Sequence, residues 1–234
     1  MLILAIESSA APVSAALYED GRILAEFYVH TKQTHSETLM PMVEALLSTG
    51  KKTVKDLDLL AVAAGPGSFT GVRIGVSTVK GIAFPQDTPC CAVSTLDAMA
   101  YNAAILEGSL VCAVMDARCG QVYNALFRIT DGEPVRLCED RAISVADLAE
   151  ECRARQENFI LLGDGTAVCE QALEAAGARP APESMRYQRA CSVAMAAERL
   201  FKQGKTVSGT DLVPYYLRPP QAERERNKKR KGSQ

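Results

Sequence analysis

Two stretches of this chain, far apart in sequence, follow one pattern. Leu2-Ile-Leu-Ala-Ile-Glu7 and Leu110-Val-Cys-Ala-Val-Met-Asp116 are each an apolar run closed by a single carboxylate. Short continuous apolar runs of this kind read as fully buried strands. Each is followed by a second strand pattern (Val13–Tyr18, Gln121–Ile129), an Asp-Gly pair (Asp20-Gly21, Asp131-Gly132) and a third run (Arg22–His30, Pro134–Glu139). Asp-Gly between strand patterns is a strong hairpin signal, because both central positions of the tight turn need positive φ. Helix and strand patterns then alternate. In the first half they fall at about 34–48, 57–64, 69–84, 90–93 and 96–106; in the second, at about 145–156, 159–162 and 167–176, with a last helix at 193–203. A duplicated βββαβα unit predicts an α/β protein of two similar domains, 1–106 and 107–220, followed by a tail at 221–234.

The second constraint is Gly65-Pro-Gly-Ser-Phe-Thr-Gly-Val-Arg-Ile-Gly75, between a buried strand and a helix. The Gly-Pro-Gly turn needs backbone angles that only these residues adopt cheaply. Ser68 has the chemistry of an N-cap, which leaves the first helical amides for an anion or a partner. Gly71 and Gly75 lie one turn apart, and each costs about 1 kcal/mol against alanine inside a helix. Such a pair predicts a backbone that something approaches closely. Phe69, Val72, Val76, Val79 and Ala83 form a second stripe at 3-4-3-4 spacing, the seam of a helix packed lengthwise on others. In the preceding helix, Thr34 and Glu37 have capping-box spacing, Leu39 and Val43 belong to the apolar face, and Pro41 is expected to bend or limit it.

Composition narrows the class. Of 234 residues 47% are hydrophobic, enough for one large or two small cores. The apolar opening stops at Glu7 and lacks a basic leader, so it reads as a strand and not as a signal peptide. Eight scattered cysteines without a C-x-x-C pair are expected to act as small hydrophobes in a reducing cytoplasm. Two histidines, His30 and His35, make a structural zinc site an unattractive reading. Residues 221–234 carry six Lys/Arg and two Glu, which leaves 20 basic and 26 acidic residues elsewhere. An acidic body with a basic end does not suggest a nucleic-acid-binding domain.

The domain pattern is similar to the actin-like ATPase superfamily, whose domains have a ribonuclease H-like fold. Within it, Ile6-Glu7-Ser8-Ser9, Thr34-His35-Ser36-Glu37, the glycine string, Met115-Asp116-Ala117-Arg118 and Tyr215-Tyr216-Leu217-Arg218 resemble the TsaB (YeaZ) family over residues 1–218. That resemblance implies a bacterial partner protein in tRNA threonylcarbamoyladenosine synthesis, paired with its paralogue TsaD and working with the ATPase TsaE. It implies indirect contact with tRNA, self-pairing when TsaD is absent, and no membrane. TsaD holds its metal through H-x-x-x-H in the segment after the strand that follows the glycine-string helix. Here Thr95 and Met99 stand at those positions, and neither replaces imidazole for a divalent ion. The turn Glu7-Ser8-Ser9-Ala10-Ala11-Pro12 lacks the glycine that lets amides wrap a phosphate, and Glu7 repels one.

The expected function is therefore a non-catalytic scaffold with no metal or cofactor of its own. Its partner interface is expected on the helices at about 34–48 and 69–84, through His35, Leu39, Val43, Phe69, Gly71, Val72, Gly75, Val76 and Val79. Asp116, Arg118, Gly163 and Asp164 could contribute to an ATP or ADP site shared with a partner. The alternatives are a stand-alone ATPase or a glycoprotease-like hydrolase using Ser68 or Ser36 with His35, for which no local signature joins nucleophile, base and orienting group. Deleting the chain after Pro220 should leave the melting temperature nearly unchanged; a fall of about ten degrees would mean that the tail is packed.

Overall fold

The structure, a computed structural model, describes residues 1–31 and 33–218, so the basic tail lies outside the described residues. The first half comprises β1 (Leu2–Glu7), β2 (Val13–Glu19), β3 (Arg22–Val29), α1 (His35–Thr49), β4 (Leu59–Gly65), α2 (Phe69–Ala83), β5 (Cys90–Ser94) and α3 (Thr95–Ala100). The second comprises β6 (Leu110–Asp116), β7 (Gln121–Thr130), β8 (Glu133–Arg136), β9 (Arg141–Ser144), α4 (Val145–Arg155), β10 (Phe159–Leu162), α5 (Thr166–Glu174), β11 (Ala178–Pro180), α6 (Glu183–Arg186) and α7 (Ala190–Lys202).

The strand order is β3-β2-β1-β4-β5 in one sheet and β8-β7-β6-β10-β11 in the other, with β9 also paired to β7. In both, the hairpin strands are antiparallel and the later strands parallel to the first. The chain is thus a mixed α/β protein of two sheets with like topology, as the duplicated pattern predicted. The Asp-Gly pairs adopt the left-handed angles their turns require, with φ of 48° and 84° at Asp20-Gly21 and 55° and 73° at Asp131-Gly132.

Some local expectations need correction. The third strand of the second half is split into β8 and β9, both on β7. The helix expected to reach residue 106 ends at Ala100 and tightens into a 3-10 turn, Tyr101–Ala103. β11 and α6 are too short for periodicity to reveal. Thr34 makes no side-chain capping bond, and α1 runs through Pro41.

Helices do not follow the division between sheets. Leu2, Leu4 and Ile6 of β1 face α1 and α2, while Ile3 and Ala5 face Ala190, Ala194 and Ala197 of α7. Thus a helix from the end of the chain covers the inner face of the first sheet. Reciprocally, Leu96, Met99 and Ala100 of α3 pack on Val111, Ala113 and Phe127 of the second. Buried Asp97 of α3 pairs with Arg199 of α7 and lies 3.5 Å from Arg136 of β8. This ties both inner helices to the second sheet. Among the described residues no helix is long and apolar enough to cross a membrane.

The expected interface stripe is corrected by burial. Leu39, Val43, Val72, Val76 and Val79 are at most 3% exposed and pack with Leu4, Ile6, Leu17 and Leu60 in the chain's own core. A 3-4 spacing shows that a stripe is buried without showing by what. Gly71 and Gly75 serve the same internal contact. A Cβ on Gly71 would lie 2.1 Å from the carbonyl oxygen of Ser8, and one on Gly75 would lie 2.4 Å from Ser8 Oγ. Of the nine residues, only His35 and Phe69 reach the surface, both half-buried. The outward face of α2 instead carries Thr70, Arg73, Ser77 and Gly81, and that of α1 carries Glu37, Met40, Pro41 and Glu44. Val76→Asp should accordingly lose about 4 kcal/mol or more of stability in urea unfolding. A folded protein with unchanged midpoint would contradict the internal placement.

Candidate functional site

The turns at the carboxyl ends of the parallel strands converge on a cleft of about 710 Å³. Ser9–Ala11 after β1, Pro66–Thr70 at the start of α2, Met115–Arg118 at the end of β6, Asp164 after β10 and Tyr215–Arg218 line it. In the first domain the turn is filled by the chain itself. Ser68 N donates to Ser9 O at 2.6 Å, and a Cβ on Gly67 would lie 2.5 Å from that oxygen. Gly65, at φ +127°, sits against the carbonyl of Tyr215, whose amide donates to Ala64 O at 2.7 Å. Ser68 also caps α2, accepting from Gly71 N. These contacts use the amides of Ser68 and Gly71 within the chain, so neither is left to an anion in the cleft.

The structure brings Asp116, Arg118 and Asp164 together along the cleft. Asp116 Oδ1 accepts from Arg118 N at 2.7 Å, and Arg118 reaches into solvent from a left-handed run that includes Cys119 and Gly120. Gly163 belongs to the backbone packing instead. A Cβ there would lie 2.0 Å from Val114 O, so its role is close approach to β6.

Two carboxyls here are held toward their protonated form: buried Glu7 and half-buried Asp164 in the cleft wall. Glu7 is wholly buried; Oε1 accepts from Ser9 N at 2.6 Å and Oε2 has no partner. Burial pushes its carboxyl up to about 7, against the opposing bonds from Ser9 and with a further push from Asp164. Asp164 is also raised by burial, although Gln188 Nε2 donates to it at 2.9 Å.

His35 Nε2 donates to Ala10 O at 2.7 Å, and its buried Nδ1 has no partner. Because Ser68 is a helix cap and no carboxylate orients His35, the hydrolase constellation is not assembled among the described residues. Thr95 and Met99 are fully buried. The Met99 sulfur lies 3.0 Å from where a Cβ on Gly163 would stand, so a thioether fills this position within the core. Among the described residues no group of three His, Cys, Asp or Glu side chains could hold a metal.

Sequence reading missed a strap that crosses the first domain and ends at the cleft. Lys80 Nζ donates to the carbonyls of Thr210 and Leu212 at 2.8 and 3.0 Å. Arg73 Nε donates to Tyr216 Oη at 2.9 Å, and Arg218 Nη1 reaches Ala117 O at 3.1 Å in the second domain. Its only sequence signal is the Tyr215-Tyr-Leu-Arg218 run.

Residues 23–226 match the model of the family described as TsaD, tRNA N6-adenosine threonylcarbamoyltransferase. The chain is 33% identical to the tRNA threonylcarbamoyladenosine biosynthesis protein TsaB of Bacillus subtilis, covering 95% of this chain and 96% of that protein. It is 32% identical to TsaB of Escherichia coli, covering 93% and 95%. YeaZ from Pseudomonas aeruginosa superposes with a TM-score of 0.80 at 28% identity, covering 92% of this chain and 99% of that one. The chain belongs to the TsaB family, in the wider group that the transferase model matches.

The pair Glu7–Asp164 yields a pH prediction. A raised carboxyl holds its proton when folded, whereas the unfolded chain releases it near 4.5. Stability should therefore fall as pH rises from 4.5 to about 7 and then level off, with Glu7 accounting for about 3 kcal/mol at most. Glu7→Gln should remove that share of the slope and be the more stable protein at about pH 8. Identical slopes for the two proteins across that window would contradict the assignment.

Proposed function

We propose that the chain is a non-catalytic partner subunit in the synthesis of threonylcarbamoyladenosine at position 37 of tRNA. In this reading it pairs with the transferase TsaD, works with the ATPase TsaE, and meets tRNA only through that assembly. The carrying observation is the occupancy of the two metal-ligand positions by Thr95 and Met99, both fully buried. A buried thioether packed against apolar neighbours offers no open coordination position and no base. The bond from Ser68 N to Ser9 O adds to this, since it withdraws one donor that catalysis on a phosphate would aim at it. Any ATP or ADP would then lie at a site shared with the partner, where this chain contributes Asp116, Arg118 and Asp164. Six of the eight cysteines are buried free thiols, which suits a reducing cytoplasm.

The docking surface in this reading is the outward face of α1 and α2, next to the inward valines. Paralogues share surface shape, so the same face would pair with a second copy when TsaD is absent. A stable contact would bury about 1,200–2,000 Å² in total. Ser77→Arg places a long cation at the centre of the exposed face of α2 without touching the core. The variant should melt like the parent, yet fail to co-purify with TsaD and fail to support tRNA modification. Normal binding by this variant, or modification of tRNA by this chain without TsaD, would contradict the proposal.

A further inference from the structure

We infer that Arg73 is a preorganised carboxylate receiver, into which a docking protein inserts one aspartate or glutamate side chain. The inference rests on the proposed use of the outer α1–α2 face and names the chemistry recognised there. Arg73 is exposed, and among the described residues no carboxylate comes within ion-pairing distance of it. Its guanidinium is nevertheless held in place. The charged plane lies 3.9 Å over the ring of Phe69, which stacks on Tyr216 at 4.8 Å between centroids. Nε donates to Tyr216 Oη, so the remaining N–H groups of the fork are left for an external acceptor. A stacked and hydrogen-bonded arginine has already lost the side-chain freedom that binding would otherwise cost, and the fork matches a carboxylate in two-point geometry.

The surroundings select the class of ligand. Arg73 borders a groove of about 500 Å³ between α1 and α2, lined by Ser36, Thr70, Ser77 and Thr78 with Phe69 and Ile74. Hydroxyls and apolar atoms with one permanent cation suit a single carboxylate on a packed helix. A nucleic-acid backbone or a polyphosphate would call for several cations in a row. The anchor also depends on the end of the described chain, because Tyr216 belongs to the strap and not to α2. Its occupation therefore joins the docking face to a segment whose Arg218 contacts Ala117 of the second domain.

The test is calorimetric titration of the full chain with TsaD from the same organism at low and moderate salt. Arg73→Ala should weaken binding by about 30-fold or more. Arg73→Lys should weaken it as well, since lysine keeps the charge but loses the stack and the fork. Both variants should melt like the parent, and the deficit of Arg73→Ala should shrink as salt rises. Arg73→Glu should be rescued by reversing one acidic residue of TsaD to lysine, found by scanning its exposed acidic positions. If Ser77→Arg abolishes binding while Arg73→Ala stays within about twofold of the parent, the anchor is wrong and the docking face stands. If no acidic position of TsaD rescues Arg73→Glu, the carboxylate assignment falls. If Arg73→Ala weakens binding of the chain to tRNA alone and not to TsaD, the ligand is RNA and the inference is overturned. If the parent chain does not bind TsaD, the inference falls together with the proposed function.

Discussion

The contact between α2 and the end of β1 sets the positions of the closed turn, the core stripe and the outward face alike. Two missing Cβ atoms, at Gly71 and Gly75, let the helix lie against the backbone and hydroxyl of Ser8. Ser8 Oγ donates to Gly71 O at 2.9 Å, so the close approach is a polar contact as well as a steric one. At this distance Ser68 N reaches Ser9 O, and the turn after β1 is closed by the chain itself. The same orientation points Val72, Val76 and Val79 at the sheet and turns Arg73 and Ser77 outward. Substituting alanine at Gly71 would force its new methyl into a carbonyl oxygen, and neither partner could yield without moving the helix or the strand.

The exchange of inner helices gives the two domains a shared middle layer. α7 completes the first domain and α3 covers the second, with Asp97, Arg199 and Arg136 joining them at their contact. Glu7 ends β1 and Asp164 follows β10, Glu7 wholly buried and Asp164 half-buried in the cleft wall. Both carboxyls are raised by burial, and each costs stability as pH rises.

The fold was largely legible because duplication leaves a repeated signal. Two apolar runs ending in Glu7 and Asp116, each followed by an Asp-Gly turn, fixed the hairpins and the strand order they imply. That Thr95 and Met99 stand where the family resemblance expects ligands was readable too, because residue identities need no coordinates. Which surface faces outward was not legible. The valine stripe and the glycine pair both announce burial, and sequence periodicity is the same whether a sheet or a partner does the burying. Cross-domain helix packing was hidden for a similar reason, since α3 and α7 lie far in sequence from the sheets they cover. The pairing of Arg73, Phe69 and Tyr216 joins residues more than a hundred positions apart through a strap without regular structure, and no local pattern marks it.

In the proposed reading a partner meets the outward faces of α1 and α2, since their apolar faces are used in the chain's own core. Amide hydrogen exchange tests this most directly, comparing the chain alone with the chain saturated by TsaD. New protection is predicted to concentrate in α1, in α2 from Thr70 to Gly81, and around Tyr216, with the second sheet unchanged. Protection confined to β3, to α4 and α5, or to the second-domain turn at Arg118 would contradict it.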